Sequence, residues 1–117
     1  MREIKFYQTA NGKIPIEEFL DSLNGRQVEK ILWVLRIIKE LEIVPKEYFK
    51  KLVNTDEIWE VRVSSGKINY RLLCFFDCGN FIILTNGFIK KSQKTPKAEI
   101  KIAECRRKDY IERKENG

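Results

Sequence analysis

The hydrophobic repeat of this chain changes period at Pro45, and that change excludes most of the folds otherwise open to it. Upstream, Ile16, Phe19, Leu20 and Leu23 recur at helical spacing. Val28, Ile31, Leu32, Leu35 and Ile38 lay a second apolar stripe, which Leu41 extends. Pro15 stands where a first helix would begin, with Glu17 and Glu18 near its positive end. Asn24 and Gln27 have the spacing of a capping box for a second helix, and Gly25 eases the bend between the two.

Downstream the repeat alternates. Residues 58–63 put Trp59, Val61 and Val63 on one face and Glu60 and Arg62 on the other. The turn SSGK leads into residues 68–76, a run apolar on both faces and therefore a central strand, and DCGN leads into a third strand at 81–89. Residues 2–7, REIKFY, alternate weakly and read as a first strand added at an edge. Thr95 is placed to cap a last helix with Pro96 at its first position. Ile100, Ala103 and Tyr110 would lie on its buried side, and residues 113–117 would form a frayed tail. The expected fold is α+β: two N-terminal helices packed on a mostly antiparallel sheet of about four strands, followed by a C-terminal helix. Such an arrangement leaves part of one sheet face open.

With 117 residues the chain suits one domain over 1–117 and is too short for two ordinary ones. No apolar run approaches the ~20 residues that span a bilayer, and the first residues lack the core of a secretory signal. Three cysteines without a CxxC pair suit reduced thiols in the cytoplasm. Histidine is absent, which removes the usual neutral-pH base and any Ser-His-acid triad. No metal-ligand spacing or Gly-rich phosphate loop is present, so neither metal nor cofactor is expected. The formal net charge is +6, and its surplus is uneven. Residues 45–96 carry nine Lys or Arg against five Asp or Glu, whereas residues 1–44 carry seven of each, so the excess sits on the expected sheet and its loops.

Arg62 and Arg71 fall on neighbouring strands, where a guanidinium is held rigidly. Such a group donates paired hydrogen bonds to phosphate oxygens or stabilises charge developing on phosphorus. The plainer alternative pairs Arg62 with Glu60 or Asp77 and uses Arg71 to anchor the last helix. The junction GFIKKSQKTPKAEI, residues 87–100, sets Lys90, Lys91 and Lys94 between a strand end and a helix start. With Lys50, Lys51 and Lys67 they form a footprint suited to a polyanion, although the same lysines also suit a solubilising surface. Tyr70, Tyr110 and Trp59 are candidates for stacking on a base, and the two tyrosines for proton transfer. The alternation favours core positions for Trp59 and Tyr70. Asp56, Glu57 and Glu60 form no dedicated carboxylate pair.

The ordered series YFKKLVNTDEIWEVRV, YRLLCFF and FIILTNGFIKKSQKTPKAEIKIAECRRKDY resembles the phage-derived and HigB-like branch of the RelE/ParE toxin superfamily, over about residues 1–112. The resemblance implies a small basic toxin of a type II toxin-antitoxin pair, restrained by a helix-turn-helix antitoxin. RelE and HigB members cut mRNA on the ribosome, which implies a metal-independent endoribonuclease, whereas ParE relatives inhibit gyrase and give the alternative of a non-nuclease interaction toxin. By the same resemblance Arg71 is the arginine of the YR pair. Lys90 and Lys91 are the post-strand basic residues, and Arg62, Lys50 and Lys51 fall where related nucleases place cations. The tyrosine or histidine that relatives carry nearby has no counterpart in residues 92–99, and Tyr110 lies farther along.

Overall fold

The helical half forms as its spacing dictates. In the computed structural model, which describes residues 1–117, α1 is Pro15–Asp21 and α2 is Gly25–Glu40. The capping box at Asn24 is complete: its side chain accepts from the Gln27 N–H at 2.9 Å, and the Gln27 side chain accepts from the Asn24 N–H at 3.0 Å. At the other end of α2, the Arg2 guanidinium donates to the carbonyls of Ile38, Leu41 and Glu42 at 2.9, 2.6 and 2.9 Å. One cation thus satisfies orphan carbonyls at the negative end of the helix and ties the chain terminus to it. The buried stripe of α2 is Ile31, Val34, Leu35 and Ile38, with Leu32 and Leu41 about half exposed. The expected stripe was rotated by part of a turn, because Val34 faces the sheet in place of Leu32.

The sheet has five strands rather than four: β1 Glu3–Phe6, β2 Phe49–Lys51, β3 Trp59–Ser65, β4 Ile68–Asp77 and β5 Phe81–Lys90. Their order is β1-β5-β4-β3-β2. All neighbours are antiparallel except β1 with β5, which run parallel, so the sheet is mixed. The three-stranded meander and the edge position of β1 match the sequence reading. β2 was not foreseen, since FKK carries no alternation. It forms because Phe49 is buried, stacked on Trp59 with ring centroids 4.8 Å apart, while its backbone pairs with β3.

The meander is regular on β3 and β4 but not on β5. Leu73 faces Asn86, whereas Cys74 faces Leu84, so Thr85 is an extra residue and forms a β-bulge. Upstream of it Ile82 and Leu84 point toward α1 and α2, and downstream Gly87 does. Asn86, Phe88 and Lys90 are thereby turned to the opposite face. The bulge is fully buried, with the Thr85 hydroxyl donating to the Leu73 carbonyl at 3.1 Å and the Thr85 carbonyl accepting from Arg106 at 2.9 Å.

Both faces of the sheet are covered in part. The first core joins Ile16 of α1 and the α2 stripe to Phe49, Val61, Val63, Tyr70, Leu72, Cys74, Ile82 and Leu84. The second is smaller: Tyr7, Ile58, Leu73, Phe75 and Ile83 under Ala103, with Ile100 and Tyr110 packed against it. Ala103, Ile100 and Tyr110 belong to α3, Lys97–Asn116. The face expected to stay open is therefore closed at one end by α3, which runs through the residues expected to fray. Arg113 pairs with Asp109 at 2.7 Å and donates to the Gln8 carbonyl, and Lys114 holds Asp77 at 2.7 Å. Pro96, expected at the first helical position, is the N-cap, and Thr95 does not cap the helix. No helix is long and apolar enough to cross a membrane.

At Gly87 α1 packs tightly on the sheet. A Cβ there would lie 2.5 Å from a Phe19 ring carbon and 2.6 Å from Leu72. Gly87→Ala should therefore overpack a closed interface and lower stability by about 1–3 kcal/mol, measured as a fall in the urea midpoint at unchanged slope. An unchanged midpoint would show that α1 moves away without cost.

Candidate functional site

The end of the sheet that α3 leaves uncovered carries cations from four strands. Register sets Arg71 of β4 directly opposite Arg62 of β3, and opposite Phe88 of β5 on its other side. Like charges across a strand pair repel, so this pairing needs a counter-charge. Glu60 supplies it. Two residues before Arg62 and on the same face, its Oε1 lies 3.6 Å from Nε of both Arg62 and Arg71. Glu60 is only 2% exposed, and a carboxylate so deeply placed is tolerable only where its charge is answered. Its second oxygen accepts a hydrogen bond from the Thr95 hydroxyl.

Arg71 is 6% exposed. One terminal nitrogen, Nη1, donates to the Tyr70 carbonyl at 2.9 Å, while its Nε is buried and has no hydrogen-bond partner. Burial lowers its pKa from the usual arginine value, the Glu60 carboxylate works against that, and Arg62 adds to it. Lys90, opposite Asn69, reaches the same face because of the bulge. Its ammonium is likewise held below the ordinary lysine value, first by burial and then by Arg71, with Glu60 opposing and Arg62 and Lys50 contributing. Four cations thus act on one another around a single carboxylate. Asn69, Arg71, Lys90, Lys91, Ser92 and Gln93 enclose a recess of about 420 Å³ with no apolar lining residue. Its chemistry suits an oxyanion: a rigidly held guanidinium in its lining and ammonium groups beside it.

The structure brings together Arg62, Arg71, Lys90, Lys91 and Lys50, the last on β2 directly across from Glu60. The remaining candidates lie elsewhere. Lys51 pairs with Trp59 in register and its ammonium is 2.6 Å from Glu57. Lys67 stands exposed in the β3–β4 turn, and Lys94 lines the neighbouring groove beside Leu52 and Pro96. Tyr70 is fully buried in the first core, its hydroxyl bonded to the Gln27 amide, so it is unavailable to stack on a base. Trp59 is likewise packed against Phe49 and Phe76. Tyr110 donates to Asp77 at 2.7 Å and packs on Phe75. Asp77 is six residues along β4 from Arg71, roughly 20 Å away, so Tyr110 serves the other end of the sheet. Burial and Asp77 push its hydroxyl up to about 12, which also removes it from proton transfer near neutrality.

Asp56 and Glu57 are engaged by Arg107 and Lys51. Of the two plain alternatives for the arginines, Arg62 does pair with Glu60, whereas Arg71 reaches the last helix only through Glu60 and Thr95. Thr95 is the residue that the sequence misassigned, since a threonine ahead of a proline-started helix carries a strong capping signal. No group of three or more His, Cys, Asp or Glu side chains is arranged to hold a metal ion.

Residues 18–108, which include the whole recess, match the family model described as Phage derived protein Gp49-like. No curated protein matches the chain.

The charge crowding at Lys90 carries a sign that can be measured. Its pKa in the folded protein lies below the ordinary 10.5, so between those two values the unfolded chain binds more protons. Stability should rise with pH across that window and carry the full deficit below it. Lys90→Gln should remove this rise and be at least as stable as the wild type at pH 7, compared by urea unfolding at pH 7 and 10.5. A variant that loses stability at pH 7 and keeps the wild-type pH dependence would contradict the crowding.

Proposed function

We propose that this chain, which belongs to the phage-derived Gp49-like family and through it to the RelE/ParE-type toxin superfamily, is a type II toxin that cuts mRNA on the ribosome. The observation that carries the reading is Arg71, a nearly buried guanidinium that lines a recess with only polar walls beside Lys90 and Lys91. A backbone phosphate of RNA fits that set of cations.

In this reading the scissile phosphate lies against Arg71, with Lys91 on another of its oxygens and Lys90 beside the adjacent 2'-hydroxyl. The adjacent 2'-hydroxyl attacks phosphorus, a 2'-O–P bond forms and the P–O5' bond breaks. The products are a 2',3'-cyclic phosphate and a 5'-hydroxyl. The proton leaving the 2'-oxygen passes to a base, and the departing 5'-oxygen takes one from solvent water. Lys90 is the base we assign, because burial and its cationic neighbours raise its neutral fraction. Arg71 and Arg62 stabilise the charge that accumulates on the phosphoryl oxygens. DNA lacks the nucleophile and would not be cut. The site is shallow, so the ribosome supplies the alignment of the mRNA. Lys50, on the neighbouring strand, and the more peripheral Lys67, Lys94 and Lys51 would steer the strand in a salt-dependent manner. The antitoxin of this reading is a small helix-turn-helix protein encoded alongside, met in the cytoplasm, whose acidic and apolar surface covers the basic face.

Brief induction followed by mapping of RNA 5' ends tests the proposal. The wild type should generate new 5'-hydroxyl ends within ribosome-occupied codons. Arg71→Ala should lower their rate of appearance by roughly 10²-fold or more, and Arg71→Lys should restore part of it. Arrested growth with DNA damage and no new RNA ends would replace the nuclease with a gyrase-type interaction toxin.

A further inference from the structure

The two arginines of the recess are held by charge more than by hydrogen bonds. Arg62 and Arg71 face each other across β3 and β4, and each approaches Glu60 only to 3.6 Å. That distance is an ion pair beyond hydrogen-bond reach. The one hydrogen bond of the Arg71 side chain runs from Nη1 to a main-chain carbonyl, and the Glu60 charge is the only partner its Nε faces. The position of the Glu60 carboxylate therefore sets where both guanidinium groups point. Thr95 in turn fixes that carboxylate. Thr95 ends the segment whose Lys91, Ser92 and Gln93 wall the recess, and it also lines the adjoining groove with Leu52, Pro96 and Ile100. A single hydroxyl thus joins the wall of the recess to the charge beneath its floor.

We propose that Glu60 and Thr95 are positioning residues: Thr95 locks the Glu60 carboxylate, and the carboxylate aims Arg71 and Arg62 at the phosphate. In its kinetic consequence the proposal rests on the nuclease reading. In its geometric content it does not. Removing the hydroxyl of Thr95 leaves every charge in place and releases the carboxylate to turn. The arginines follow it, so a strand would still bind and the transition state would be less well met. A misplacement on the order of 1 Å is enough to cost about 10²-fold in rate.

The test uses Thr95→Val, which preserves shape, Thr95→Ser, which preserves the hydroxyl, and Glu60→Gln. The first readout is the proton–nitrogen spectrum of the arginine Nε groups in the full chain. Thr95→Val and Glu60→Gln should shift the Arg71 and Arg62 signals and speed their exchange with water, and Thr95→Ser should keep both near the wild type. Unchanged Arg71 and Arg62 signals in a folded Thr95→Val protein overturn the proposal, whether or not the wild type cuts RNA. The second readout is the cleavage rate on ribosome-bound mRNA beside affinity for a 2'-O-methyl oligoribonucleotide. Thr95→Val should lose about 10- to 100-fold in rate with affinity within about twofold, and Thr95→Ser should recover the rate. Shifted arginine signals with an unchanged cleavage rate would also overturn the proposal. A wild type that cuts no RNA would remove the nuclease reading and leave the spectra to decide the geometry.

Discussion

Ten residues of β5 have to serve two surfaces, and one extra residue lets them do so. Up to Leu84 the strand presents Ile82 and Leu84 to α1 and α2. From Asn86 onward the bulge at Thr85 reverses the alternation. Gly87 then faces α1, where the Phe19 ring leaves no room for a side chain, and Lys90 joins Arg71 on the opposite face. A regular strand would have put Asn86, Phe88 and Lys90 into the first core and the glycine outside it. The irregularity is well supported, because its freed carbonyl is taken by Arg106 of α3 and its hydroxyl by Leu73. The helix that closes one end of the face is thus stitched to the feature that builds the recess at the other end.

If the recess holds phosphate as proposed, stability and binding oppose each other there. A buried guanidinium, a second guanidinium directly across the strand pair and a desolvated ammonium are jointly unfavourable in an empty protein, and a single carboxylate offsets only part of that. An oxyanion would relieve the same repulsion. This explains how binding energy is available in a shallow site with almost no apolar surface to bury.

Most of the architecture was legible because periodicity survives folding. The capping box at Asn24, most of the α2 stripe and the face assignments of Trp59, Val61, Glu60 and Arg62 follow from spacing alone. What escaped depended on contacts remote in sequence. β2 exists because Phe49 finds Trp59, and three residues are too few to show a pattern. The bulge at Thr85 lies inside an apolar run where either phase of alternation looks plausible. Thr95 carries a local capping signal, and a buried carboxylate 35 residues away overrides it. The placement of Arg62, Arg71 and Lys90 on neighbouring strands could be read from the strand pattern, and the structure gathers them on one face. The tyrosines misled because aromatic residues suit both a nucleic-acid platform and a core, and burial decided against the platform for Tyr70.

The central claim is that phosphate binds at Arg71, on the face the bulge creates, in preference to the basic groups around Arg113 and Lys114 at the far end of the sheet. The most direct measurement is a crystal structure of the protein with a short 2'-O-methyl oligoribonucleotide, whose blocked 2'-oxygens prevent cleavage. A phosphate oxygen should lie within about 3 Å of an Arg71 guanidinium nitrogen, with Lys90 beside the adjoining 2'-oxygen. A strand bound along Arg113 and Lys114, with the Arg71 recess still filled by water, would contradict the account.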